Sequence, residues 1–97
     1  KTDNLPVAVK KNTALAAFEF LMVDATDFAT PETGIAVTAT RSLDGAAFGA
    51  CANAVTEVSN GIYKIDLAAG DLNATVVTLR FTGAGCADRF VTICTQT

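Results

Sequence analysis

Histidine and tryptophan are both absent from this sequence, and tyrosine occurs once. Without histidine the commonest general base near neutral pH is missing, and so is the commonest nitrogen ligand for a metal. A serine or cysteine nucleophile would need a lysine or an N-terminal amine as its base, and no fitting neighbour stands near one. Positive charge is scarce as well: seven Lys and Arg face ten Asp and Glu, for a formal net charge of −3. Lys10 and Lys11 are the only adjacent positive pair, so no basic stripe neutralises phosphates and nucleic acid is not an expected partner. No apolar run nears the roughly 20 residues that cross a bilayer. No charged stretch leads into the apolar core of a signal peptide either, although a processed secreted chain would read the same way. A membrane is therefore not an expected partner. The expectation is no enzyme: no catalytic residue, no cofactor and no metal ligand is assigned.

The three cysteines, Cys51, Cys86 and Cys94, are an odd and widely spaced set. That excludes a disulfide framework and a Cys-x-x-Cys zinc site, while one disulfide with a leftover thiol stays open. They are expected to be reduced and mostly buried, acting as small hydrophobes in a chain made in a reducing compartment.

What the sequence does contain is 97 residues with 51% hydrophobic and 18% charged side chains, enough for one folded domain with a single thin core. Valine and threonine are abundant, a composition that suits half-buried pleated surfaces. After the polar Lys1-Thr2-Asp3-Asn4 comes Leu5-Pro6-Val7-Ala8-Val9, an edge segment in which Pro6 has no N–H for a ladder. Ala14-Leu15-Ala16-Ala17 suits a helix, but Phe18-Glu19-Phe20-Leu21-Met22-Val23 has strand bias, so a strand is expected from about Ala17, with helix as the alternative. Residues 24–34 are rich in turn formers. Ile35, Val37 and Ala39 then alternate onto one face, and Asp44-Gly45 signals a hairpin with Ala46, Ala47 and Phe48 returning. Asn60-Gly61 signals a second hairpin. Its return strand places Tyr63, Ile65 and Leu67 inward with Lys64 and Asp66 outward. Val77, Leu79 and Phe81 alternate with Thr78, Arg80 and Thr82, Gly83-Ala84-Gly85 breaks that strand, and residues 90–95 close the chain. About seven short strands with regular turn signals predict an all-β fold, an antiparallel β-sandwich of the immunoglobulin-like kind.

Polar clusters offer little chemistry. Asp24 and Asp27, with Thr26, Thr30 and Glu32 near, are the best oxygen ligands for a cation, but they lack the Asp/Asn alternation and glycine of an EF-hand loop. They read as turn formers. Asp71 and Asp88 read as loop residues. Asn73-Ala74-Thr75 matches a glycosylation sequon that matters only in a eukaryotic secretory pathway. The aromatics Phe18, Phe20, Tyr63, Phe81 and Phe90 are expected in the core.

Two longer stretches carry a family likeness. Thr40-Arg41-Ser42-Leu43-Asp44-Gly45-Ala46-Ala47-Phe48, followed by Asn53-Ala54-Val55-Thr56-Glu57-Val58-Ser59-Asn60-Gly61-Ile62-Tyr63-Lys64, resembles small structural proteins of tailed bacteriophages. The closing Gly83-Ala84-Gly85-Cys86-Ala87-Asp88-Arg89-Phe90-Val91-Thr92-Ile93 and the opening run from Val9 to Asp24 look similar to that pattern too. Ile62 stands where the pattern often has Trp. The resemblance implies an immunoglobulin-like or transthyretin-like sandwich. It further implies a non-enzymatic virion protein, made in the bacterial host cytoplasm and docked in multiple copies on capsid, tail or fibre. The implied partners are other virion proteins and further copies of the chain. The short N-terminal arm, with Lys1, Thr2, Asp3, Asn4, Leu5 and Pro6, is the expected subunit contact. The alternative is a cell-surface carbohydrate-binding or adhesion module, which would want exposed aromatics.

Overall fold

Alternation sets the two central strands. In the computed structural model, which describes residues 9–96, β5 (Ile62–Leu67) buries Tyr63, Ile65 and Leu67 and exposes Lys64 and Asp66. β6 (Val76–Thr82) buries Val77, Leu79 and Phe81 in the same way. The remaining strands are β1 (Leu15–Leu21), β2 (Thr38–Leu43), β3 (Gly49–Ala50), β4 (Thr56–Ser59) and β7 (Arg89–Cys94). They form two antiparallel sheets, one in the order β1-β5-β4 and one in the order β3-β2-β6-β7. The all-β expectation is met, and the one helical element among the described residues is a 3₁₀ turn over Ala69–Leu72. No helix among them is long and apolar enough to cross a membrane.

The sheets face each other through their apolar sides. Phe20 of β1 stacks on Phe81 of β6 with ring centroids 3.6 Å apart, and Phe18 reaches the same ring at 6.3 Å. Met22, Ala39, Leu72, Ala74, Cys86 and Ile93 complete the buried cluster. Burying a side chain such as Phe81, which is wholly inaccessible, contributes about 1.5–3 kcal/mol. Tyr63 carries a polar group into this core and satisfies it. Its hydroxyl donates to the Glu32 carbonyl at 2.8 Å and accepts from the Ile35 amide at 3.1 Å. That pair ties the long β1–β2 connection to the core.

Both sequence-signalled hairpins form. Asp44 and Gly45 have φ of 50° and 82°, Asn60 and Gly61 of 54° and 86°, the doubly positive geometry of two-residue turns that match strand twist. Gly61 has a second reason to be glycine, since a Cβ there would sit 2.7 Å from the Pro31 side chain.

Several expectations shift. β1 starts at Leu15 rather than Ala17, because a bulge at Ala16-Ala17 extends the pairing with β5. Ala17 has φ of 56°, and its amide is held by the Asp66 carboxylate at 2.8 Å. Ile35 and Val37 lie ahead of β2, half-buried but not laddered. The return after Asp44-Gly45 is reduced to Gly49–Ala50, which leaves Phe48 exposed. Phe90 was expected in the core and is 55% exposed. Its neighbours Val91 and Ile93 take the inward positions of β7, and strict alternation then turns Phe90 to solvent. The arm residues Lys1, Thr2, Asp3, Asn4, Leu5 and Pro6 lie outside the described residues.

Candidate functional site

The outer face of the four-stranded sheet carries the most exposed aromatic of the described strands, Phe90. Its rows follow from the ladder register: Thr40, Arg80 and Phe90 stand side by side across β2, β6 and β7, and Ser42, Thr78 and Thr92 form the next row. Thr38 and Thr82 continue it. The hydroxyls of Thr78 and Thr92 are 3.1 Å apart, a cross-strand hydrogen-bonded pair of the kind that stabilises a sheet. Arg80 lies along the face, with its guanidinium carbon 5.8 Å from the Phe90 ring centroid and Nη2 2.8 Å from the Asp88 carboxylate. The β6–β7 turn thus supplies Asp88 to anchor the cation beside the aromatic. Arg80 Nε is buried without a hydrogen-bond partner. The arrangement offers one aromatic surface, one oriented guanidinium and the hydroxyls of Thr78 and Thr92, while the Ser42 hydroxyl is buried and donates to the Ala46 carbonyl at 2.6 Å.

Asp71 was expected to be a loop residue and is the most buried carboxylate described, 2% exposed. It sits in the 3₁₀ turn and collects three donors: Arg41 Nε at 3.0 Å, the Ala68 amide at 3.1 Å and the Ala52 amide at 3.3 Å. Arg41 comes from the centre of β2, so this pair clamps β2, the segment after β3 and the 3₁₀ turn together. A Cβ on Gly49 would stand 2.5 Å from an Arg41 guanidinium nitrogen, so the glycine makes room for the cation. The pair is a structural clamp, with every inward oxygen of Asp71 occupied.

The acidic loop reads as turn chemistry. Asp27 accepts from the Ala29 and Thr30 amides at 2.9 and 3.0 Å and from the Thr30 hydroxyl. The Thr30 hydroxyl and these amides hold its carboxyl down at about 2. Asp24 accepts from the Thr26 amide at 2.6 Å, which holds its carboxyl below the usual range, helped by a hydrogen bond from Glu32. That same shared hydrogen bond pushes the Glu32 carboxyl up. Among the described residues no three Asp, Glu, Cys or His side chains converge to hold a metal ion.

All three thiols are free. Burial pushes Cys51 up to about 11, with the nearby Asp71 charge adding to it, and burial pushes Cys86 up as well. Cys94 was expected to be buried with them and is exposed, because it shares the outward phase of β7 with Phe90 and Thr92. Phe90 and Arg80 are the site residues that sequence order alone does not pair; the cue lies in the outward phase of Arg80, which recurs opposite Phe90 once the β6–β7 register is known.

No protein-family model matches the chain, no curated protein matches it, and no solved structure matches it.

Proposed function

We propose that this chain is a non-enzymatic virion structural protein of a tailed bacteriophage, an immunoglobulin-like module docked in several copies on a capsid or tail. The observation that carries the reading is Phe90, 55% exposed on the outermost described strand of a threonine-lined sheet face, within the closing stretch that looks like the phage proteins. Aromatic residues and arginine are each enriched where proteins dock on one another. The occupant of this face is a subunit of the particle, and the exposed β4 strand, with Val58 49% exposed, leaves a second strip for neighbouring copies.

Support for the immunoglobulin-like assignment comes from strand order. With β1 to β7 lettered B, C, C′, D, E, F and G, the sheets read B-E-D and C′-C-F-G, the division found in immunoglobulin sandwiches. A parallel bridge from Lys10 to Gln96 adds the start of a further strand beside β7. The phage-like segments fall on the turns that this order needs, Asp44-Gly45 and Asn60-Gly61.

The test is mass spectrometry of purified phage particles that encode the chain, paired with a Phe90→Asp variant. We expect a fixed ratio to the major capsid or tail protein, and loss of the variant from particles although it remains folded. Absence of the wild-type chain from particles would overturn the proposal. The carbohydrate-binding alternative keeps one point in its favour, since Phe90 is the kind of exposed aromatic such a module needs. Retention of the chain on immobilised glycans, abolished in Phe90→Asp, would select it instead.

A further inference from the structure

The two sheets differ in what their outer faces present. On the three-stranded sheet the outward positions carry ions: Glu19 of β1 stands level with Lys64 of β5, and Asp66 follows on the same strand. On the four-stranded sheet Arg80 is the only ion in an outward position of β2, β3, β6 or β7, since Arg41 and Arg89 are level with the inward Leu79 and Phe81. Asp88 neutralises Arg80 at 2.8 Å. The exposed apolar side chains gather on the same face. Val76 and Phe90 stand on it, 39% and 55% exposed, and Phe48 borders it just ahead of β3. Cys94 is exposed level with Val76. In a chain with 18% charged residues, loss of charge around an exposed aromatic marks the centre of a protein interface.

We propose that the outer face of the four-stranded sheet pairs with the same face of a second copy of the chain, about a two-fold axis. This rests on reading the face as a docking surface and names its occupant. Three features select a copy over a foreign protein. A like-on-like contact tolerates no net charge at its centre, and the Arg80–Asp88 pair leaves none. Two chains of formal charge −3 repel least where they meet through such a face. The outward Thr40, Thr78 and Thr92 carry hydroxyls that both donate and accept, so their rows are complementary to themselves. A foreign partner is chosen largely by complementary charge, and this face has none to choose with.

Extent sets the strength of the pair. Four strands about 4.8 Å apart, with six residues rising about 3.3 Å each, cover at most roughly 400 Å². That is about half of what each partner gives to a standard stable interface. The dimer is therefore weak in dilute solution, with a dissociation constant of roughly 10 μM to 1 mM. It becomes populated where many copies are held side by side.

Sedimentation equilibrium and an amide NMR concentration series on the purified chain, spanning about 10 μM to 1 mM, test this. A dimer should form across that range, and the amides that shift should be those around Thr78, Arg80, Phe90 and Thr92, with β4 and β5 still. Thr92→Lys, which sets like charges against each other in the seam, should weaken the dimer roughly tenfold or more. Phe90→Asp should do the same, whereas Val58→Asp on β4 should leave the dimer unchanged. Retained dispersion of the Leu79 and Phe81 amides reports that each variant is folded. A chain that stays monomeric at the top of the range overturns the proposal. So does a dimer whose shifts fall on β4 around Val58, or one that survives both Thr92→Lys and Phe90→Asp. Self-association of a chain that is absent from phage particles supports this inference and removes only the virion reading; a strict monomer found in particles does the reverse.

Discussion

Arg41 on β2 donates its Nε to the carboxylate of Asp71 at 3.0 Å, with the Asp71 side chain 3% exposed and that of Arg41 24%. The contact spans thirty positions in sequence and holds the middle of one sheet to the only 3₁₀ turn described. Burying an ion pair gains little over a well-packed apolar pair, but stranding one partner is costly. Asp71→Ala should therefore destabilise the fold by about 3 kcal/mol, measured as a drop in the urea midpoint. The double variant Arg41→Met, Asp71→Ala should recover part of that loss, since no unpaired cation is left. Equal destabilisation by the single and double variants would show that Asp71 acts only through the Ala52 and Ala68 amides.

The acidic loop has an opposed pair of titrations. Asp27, held at about 2 in the fold, titrates near 4 when unfolded, so its contribution is complete above about 4 and is lost as pH falls through about 2. Asp24, also lowered, follows the same direction. Glu32 is raised, so its contribution is present below the ordinary carboxylate range and disappears as pH rises through its folded value. NMR titration of the side-chain carboxyls should give an Asp27 midpoint at about 2 and a Glu32 midpoint above the ordinary glutamate value. The Ala29 and Thr30 amide shifts should move with Asp27. Asp27 titrating near 4 would remove the turn from the account.

Thiol labelling separates the three cysteines by exposure. Cys94 is exposed, Cys51 half-buried and Cys86 buried. At pH 8 a thiol near 11, as for Cys51, is ionised in roughly one molecule in a thousand, and only the thiolate reacts. A disulfide reagent should give one fast equivalent that vanishes in Cys94→Ser, followed by slow labelling of the others. Fast labelling in Cys94→Ser would mean that the burial of Cys51 and Cys86 is not maintained in solution.

Local pattern by itself determined the hairpins, the inward faces of β5 and β6, and the all-β class. Asp44-Gly45 and Asn60-Gly61 tolerate the positive φ that such turns demand, and a period of two needs no distant partner to be read. Tertiary structure alone decided where Phe90 and Asp71 went. Phe90 sits in a run, Phe90-Val91-Thr92-Ile93, with apolar side chains in both phases; only the register against β6 chose Val91 and Ile93 for the core. Asp71 reads as a loop carboxylate because its neighbours Gly70 and Asn73 are turn formers. Its burial became tolerable only when folding delivered a guanidinium from β2 and two backbone amides to a group that would otherwise stay in water.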